Sequence, residues 1–292
     1  VSYRVLHVTS SFPRHRHDAV APFLLDLARA QAADGMRVTV VAPHDEGLPM
    51  REVLDDVEVV RARYAPDRAE RLAYRGGLLA NVRDPRRAVL APALVASLAA
   101  AVRKVDRAQR PDVVHAHWWL PAGLAALAAN APVVVTLHGS DVALARRGAI
   151  APLGRAVTRR AAFVAAVSEP LLAEAREVLD LDPARSGVVR MPVVVDAIGR
   201  AGALRAGPPW RLIAVGRASR EKGFDVLLEA FAIARADGLD ATLEIVGTGP
   251  ERVPLSEQRD RLGLVAAVAF IEPLPRDALH ERIAAAHALV VP

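Results

Sequence analysis

Brief Val- and Ile-rich runs recur along the whole chain, most of them separated by Ala-rich stretches with helical spacing. Runs this short, without clean alternation, mark strands buried on both faces, as in a parallel sheet covered by helices. Arg4 to Thr9 opens the series, and Phe23 to Ala33 supplies a helix that ends at Gly35. Arg37 to Ala42, stopped by Pro43, and Val57 to Ala62 are the next strands. Asp84-Pro85 starts a long helix with an N-cap and a proline at the first position. That helix runs to about Gln109, with a bend expected at Pro92. Asp112 to His117, Pro132 to His138 and Phe163 to Val167 continue the alternation. A weakly patterned stretch, 196–209, follows; its Gly199, Gly202, Gly207, Pro208 and Pro209 mark a linker. A second series then places strands at Arg211 to Val215, Thr242 to Val246, Val268 to Ile271 and Ala288 to Val291. Helices at Phe224 to Ala236, Glu251 to Leu262 and Arg276 to Ala286 separate them. Two successive doubly wound α/β domains, 1–195 and 210–292, are the expected architecture, the second incomplete.

With 292 residues, 52% of them hydrophobic, the chain has material for two cores; at 4% aromatic, those cores must be Ala, Val and Leu. The absence of cysteine excludes a disulfide scaffold, thiol catalysis and Cys-ligated zinc. Net charge is +5, and lysine occurs only at Lys104 and Lys222, so the basic character is almost all arginine. Abundant Arg, Ala, Gly and Pro fit a GC-rich coding sequence. The basic residues crowd between Arg61 and Arg110, around a segment, Ala88 to Val102, that is apolar nearly all round and broken only by Ser97. Peripheral contact with a membrane surface is expected there. The segment itself is too short and Ala-rich to cross a bilayer. The opening Val-Ser-Tyr-Arg-Val-Leu lacks a signal-peptide layout, which makes the cytoplasm, or the inner face of the plasma membrane, the expected location.

In open α/β sheets ligands bind beyond the carboxyl ends of strands, so the residues just after each strand carry the chemistry. These are Thr9 to Asp18, including Ser11; His117-Trp118-Trp119; His138-Gly139-Ser140-Asp141; Gly216 to Gly223; and Gly247-Thr248-Gly249-Pro250-Glu251. Val215-Gly216-Arg217, followed by Glu221-Lys222-Gly223-Phe224-Asp225-Val226-Leu227-Leu228-Glu229, resembles the donor-site signature of family 4 glycosyltransferases. Ile245 to Glu251, Asp112-Val113-Val114-His115-Ala116-His117 and Thr136 to Asp141 resemble further motifs of the same family, in the right order. The resemblance implies the GT-B fold, two Rossmann-like α/β/α domains, with an acceptor-side amino-terminal domain and a donor domain after it. It also implies a retaining transfer from a nucleotide-diphosphate sugar, the only co-substrate expected, to a glycan, lipid-linked or small-molecule acceptor. No metal is expected.

Departure of a nucleoside diphosphate leaves negative charge on a phosphate, and fixed cations stabilise it. Arg217 and Lys222 stand before a helix N-terminus, itself anion-friendly, and are expected to act with His138 as catalytic groups. Gly216, Gly247, Gly249 and Pro250 are expected to line the donor site. Ser11, Asp18, His117, Trp118 and Asp141 are expected on the acceptor side. His138 reads either as a sugar-facing group or as a strand-end residue capping the next turn. Asp141 reads as an N-cap or an acceptor ligand. His115 and His117 share a strand face, but no third metal ligand is compelling.

Departures from the family pattern are specific. Asp18-Ala19-Val20-Ala21-Pro22 stands where paired glycines are usual, Met191-Pro192-Val193 replaces the crossover motif, and Glu272 replaces a glycine. The family's glutamate pair belongs after a strand like Ala288 to Pro292, where this sequence stops, so a truncated donor domain is expected. The alternative is a non-catalytic relative that binds nucleotide or acceptor only. Other readings fit worse. Gly247-Thr248-Gly249 lacks the third glycine of a dinucleotide fingerprint, and no Gly-x-Ser-x-Gly elbow accompanies His138, Ser140 and Asp141. Asp180-Leu181-Asp182 reads as surface rather than a metal-binding acidic pair. No helix-turn-helix or zinc signature supports nucleic acid as a partner.

Overall fold

Eight strands form the first sheet: β1 (Arg4–Thr9), β2 (Arg37–Pro43), β3 (Arg51–Leu54), β4 (Val57–Ala62), β5 (Val113–His117), β6 (Val133–Leu137), β7 (Phe163–Ala166) and β8 (Ser186–Val188). This is seen in a computed structural model that describes residues 2–16, 18, 20–74, 78–146, 148–192 and 207–292. The chain divides into two units, Val1–Val193 and Val194–Pro292. Most of the expected linker, 196–206, lies outside the described residues.

The strand order is β3-β4-β2-β1-β5-β6-β7-β8, parallel throughout except for β3 against β4. From β1 the chain winds outward through β2 and β4, then returns to lay β5 on the other side of β1. That reversal is the switch point at which doubly wound sheets bind ligands. Leu6, Val8, Val40, Val41, Val114, Ala116 and Val135 are fully buried, as strands covered on both faces require.

The edge strand β3 has no counterpart in the sequence reading. It pairs with β4 through a two-residue turn, Asp55-Asp56, both residues at positive φ (49° and 67°). Such turns favour Asn-Gly or Asp-Gly, and Asp-Asp hides the hairpin.

The long helix is broken rather than bent. Pro85–Ala88 is capped by the Asp84 carboxylate, which accepts from the Arg86 N–H at 3.0 Å, and a second helix runs Ala91–Gln109. Pro92 therefore sits in a first turn, where its missing N–H leaves no bond unmade. Leu94, Leu98, Val102 and Val105 bury one stripe against β1, β2 and β4, whereas Val89, Pro92, Ala93, Ala96 and Ala100 face outward. By length and composition Pro85–Gln109 could cross a membrane, a property the shorter Ala88 to Val102 reading excluded; here its inner stripe is part of the core.

The second unit holds β9 (Trp210–Val215), β10 (Ala241–Val246), β11 (Val268–Ile271) and β12 (Ala288–Leu289) in a parallel sheet of order β11-β10-β9-β12. Phe224, Leu227, Leu228 and Phe231 of the helix Phe224–Ala236 pack with Leu243, Ile245 and Leu255. The loop after β9 again leaves from a reversal of strand order.

Candidate functional site

Parallel pairing of β1 with β5 puts His7 beside His115, and the two-residue period places His117 on the same face. The three rings meet at the switch point, with centroids 5.1 Å apart for His7 and His115 and 4.3 Å for His115 and His117. His138, just beyond β6, joins them. Its Nε2 lies 3.2 Å from His117 Nδ1, His117 Nε2 lies 3.0 Å from His7 Nδ1, and His7 Nε2 lies 2.6 Å from Gln31 Oε1 on the helix Pro22–Ala33. His115 Nε2 lies 2.7 Å from Thr136 Oγ1. Burial, the dominant cause in each case, holds His7 and His138 down to about 4 and His115 to about 3, the last helped by its histidine neighbours. His117 is pushed well below its ordinary value for the same reason. The cluster is neutral at ordinary pH.

Ligand atoms of His7, His115 and His117 lie within 4.8 Å of one another, the third histidine that sequence inspection did not find. His7 Nδ1 and His117 Nε2 are already hydrogen-bonded to each other, and no carboxylate joins that group among the described residues.

Around His138 the walls are aromatic: the Trp118 ring lies 4.5 Å away and the Phe23 ring 5.4 Å, centroid to centroid. Trp118 takes φ 68°, ψ 135°, an unfavourable conformation for a side chain of this size, and its N–H is tied to the Thr136 carbonyl at 2.9 Å. The neighbouring Trp119 is fully buried and donates its indole N–H to the Asp141 carbonyl at 2.8 Å. The Asp141 side chain turns back on its own loop. Its Oδ1 accepts from the N–H groups of His138, Gly139 and Val142 at 3.1, 3.0 and 3.2 Å. Asp141 Oδ2 is buried without a hydrogen-bond partner among the described residues, and burial raises this carboxyl despite the backbone donors.

The other acceptor-side candidates are internal to the first loop. Both Asp18 oxygens hold Arg14, at 2.7 and 3.2 Å, and Oδ2 also takes the Arg14 N–H, so Asp18 staples the loop instead of facing outward. Ser11 forms a turn with Thr9, whose hydroxyl donates to the Ser11 carbonyl at 2.8 Å. Ala21, in the stretch that replaces the family's glycines, adopts the left-handed conformation (φ 48°, ψ 46°).

In the second unit the loops after β9 and β10 touch backbone to backbone. A β-carbon at Gly247 would stand 2.0 Å from the Gly216 carbonyl oxygen, and one at Gly249 would stand 2.3 Å from that of Ala218. Gly247 also sits at φ 136°, which only glycine adopts readily. Hydrogen bonds from Ala218 N–H to the Thr248 carbonyl (3.0 Å) and from Glu251 N–H to the Ala218 carbonyl (2.9 Å) lock the pair. Pro250 is exposed in the turn that leads to the helix Arg252–Arg261. The Lys222 stem lies across Gly216, where an added β-carbon would be 3.5 Å from its Cδ. Arg217 and Lys222 are both exposed, beside Glu221. The Ser219 hydroxyl, donating at 2.7 Å, is the main cause holding the Glu221 carboxyl below its usual range, and the two cations add to it.

The expected basic cluster loses one member. Arg61 is fully buried, donating to Glu52 at 2.7 Å, to the Pro13 carbonyl at 2.6 Å and to the Tyr74 hydroxyl, so it contributes nothing to a surface patch. Arg63 pairs with Asp67 and Arg87 with Asp84. Arg86, Arg103, Lys104 and Arg107 remain exposed on the helical segment.

Residues 20–197 match the family model described as Glycosyltransferase Family 4, and residues 200–292 match that of Glycosyl transferases group 1. A 2-deoxystreptamine N-acetyl-D-glucosaminyltransferase of Streptomyces fradiae is 28% identical, covering 99% of this chain and 75% of its own. A D-inositol 3-phosphate glycosyltransferase of Acidothermus cellulolyticus is 30% identical over 69% of this chain; the match spans about half of that relative, 52%. Among solved structures, sucrose-phosphate synthase of Thermosynechococcus elongatus superposes with a TM-score of 0.72 at 17% identity, covering 99% of this chain and 75% of that one. The Anabaena protein HepE, solved with UDP-glucose, gives 0.64 at 17% identity, covering 98% and 72%. Sheet order, the linked glycine loops and a family match over more than half its length agree: the chain belongs to glycosyltransferase family 4 and has the GT-B type of α/β fold.

Proposed function

We propose that this chain binds a nucleotide-diphosphate sugar in its second unit and takes part in a retaining transfer of the sugar to an acceptor. The observation that carries this is the backbone-to-backbone seating of Gly247 and Gly249 against Gly216 to Ala218, beneath two exposed cations. Gly223 then leads into the helix Phe224–Ala236, whose N-terminus favours an anion. Lys222 supplies a compact charge and Arg217 a forked one for the departing diphosphate. His138, walled by Trp118 and Phe23, is the first unit's candidate catalytic group. HepE, with UDP-glucose, and a starch synthase IV solved with ADP and acarbose, TM-score 0.72, support the donor class.

Calorimetric titration with UDP-, GDP- and ADP-sugars, together with the anomeric configuration of any product, tests this reading. Lys222→Ala should cut transfer by about two to three orders of magnitude, as when a preorganised transition-state donor is removed. Equal turnover by both proteins, or no affinity for any nucleotide sugar, would sink it; affinity without turnover would assign a binding module.

The same reading gives the outward face of Pro85–Gln109 a role at an anionic membrane, where a lipid-linked acceptor would reside. Exposed Val89, Pro92, Ala93, Ala96 and Ala100 stand in line with Arg86, Arg103, Lys104 and Arg107. Each basic residue near such a surface contributes about 1 kcal/mol, so the four act together and salt weakens them. Co-sedimentation with anionic vesicles should exceed that with neutral ones and fall with added salt. Equal, salt-insensitive partitioning would refute the contact.

A further inference from the structure

Three histidines on one face of the first sheet each have one ring nitrogen held by a neighbour outside the group. His7 and His115 are register partners on β1 and β5, and His117 follows on the same face two residues later. His7 Nε2 lies 2.6 Å from Gln31 Oε1, His115 Nε2 lies 2.7 Å from Thr136 Oγ1, and His117 Nδ1 lies 3.2 Å from His138 Nε2. Each of these partners can accept, so every ring can donate outward and turn a lone pair inward. Metal-bound histidines are held in this way, by an acceptor on the nitrogen away from the ion. The inner atoms converge as well. His7 Nδ1 and His117 Nε2 stand 3.0 Å apart, and one ligand atom from each of the three rings lies within 4.8 Å of the other two. A tetrahedral ion bonded to imidazole at about 2.0–2.1 Å holds its nitrogens about 3.3 Å apart. Two of the three are therefore near that spacing, and the half-buried His115 closes the remainder by turning its ring.

We propose that His7, His115 and His117 bind a divalent transition-metal ion, Zn2+ or a close neighbour of it, which ties β1 to β5 at the first unit's switch point. The site lies wholly within the first unit, and nothing in it depends on the nucleotide-sugar reading. Its donors are all nitrogen. No carboxylate joins the group among the described residues and the chain has no cysteine, so magnesium and calcium, which take oxygen, are disfavoured. Burial keeps the rings unprotonated at ordinary pH, which leaves their lone pairs to an ion. Two lone pairs 3.0 Å apart repel unless a proton or a cation lies between them. In the metal-free chain a ring proton fills that place; on binding it shifts to an outward nitrogen, and no proton is released. Three protein ligands leave the fourth tetrahedral position to water.

The untagged full chain, stripped with a chelator, can be titrated with Zn2+ by calorimetry and with Co2+ by visible absorption. One ion per chain should bind, Co2+ should show the intense bands of a four-coordinate site, and Zn2+ should raise the unfolding temperature of the first unit. His115→Ala, at a half-buried position whose truncation leaves the core in place, should abolish the bands and the thermal shift while circular dichroism stays unchanged. Gln31→Leu should weaken binding about ten- to a hundredfold without changing the stoichiometry. Asp67→Asn probes the other cluster of possible ligands, His44, Asp67 and Glu70, and should leave the Co2+ spectrum as it is. Weak six-coordinate bands, or no saturable uptake, overturn the site. Binding that survives His115→Ala, or that is lost in Asp67→Asn, overturns it too.

Discussion

The two units place their candidate chemistry at the same topological position and build it from opposite materials. At the first switch point four histidines, three of them in mid-sheet or at a strand end, are kept neutral by burial, and hydrogen bonds join His7, His117 and His138. At the second, glycines bring two backbones together and the charges stand outside, on Arg217, Glu221 and Lys222. A dry, neutral site selects by direction, since a hydrogen bond is sensitive to angle and unforgiving when unmade. A wet, charged site gains attraction over distance, and water and salt weaken it. Neutral hydroxyls suit the first environment and phosphates the second.

Acid should separate the units most strongly. His7 and His138 titrate near 4 in the folded chain and His115 near 3, against 6.5 when unfolded. The unfolded chain therefore binds more protons below 6.5, and the stability these rings contribute is complete above that pH and lost as it falls towards 4. Each group can account for about 1.4 kcal/mol per pH unit in that window. Urea unfolding, followed through Trp118 and Trp119 for the first unit and Trp210 for the second, should show the first midpoint dropping well ahead of the other between about pH 7 and about pH 5. A first-unit midpoint that stays put would break the comparison.

Glycine substitutions sharpen it on the other side. Gly247→Ala forces a β-carbon into the Gly216 carbonyl and should destabilise the second unit by about 3 kcal/mol, the upper range for overpacking, with loss of nucleotide affinity. Gly216→Ala meets only the Phe224 ring at 3.4 Å and the Lys222 stem at 3.5 Å, so its stability effect should stay within about 1 kcal/mol. Thermal unfolding of both variants distinguishes them; equal losses would mean the two loops are not seated as described.

The parallel strands were legible because burial on both faces leaves a continuous Val and Ile signal, from Arg4–Thr9 through Ala241–Val246. The motif loops were legible because glycines and cations repeat a family pattern. His7 was not, since its importance depends on β1 lying against β5, more than a hundred residues on, and only topology reveals that pairing. A hint existed: a histidine inside the run Val5 to Val8 is polar where burial is expected. Arg61 misled for the converse reason, because the sequence shows a charge and not the half-buried Glu52 carboxylate of the edge strand that pairs with it. Asp18 and Asp141 were recognised as loop carboxylates, but hydrogen bonds to their own loops decide where they point.

Ala21 carries one more consequence. It holds the left-handed backbone that glycine would adopt at no steric cost, at a penalty of about 1 kcal/mol, immediately before a helix whose Leu24, Leu25 and Ala28 are buried. The torsion is thus enforced by the packing downstream, not granted by the residue that occupies it. At this turn, selection can preserve a shape while the composition drifts, and a search for the loop by its glycines would pass over it.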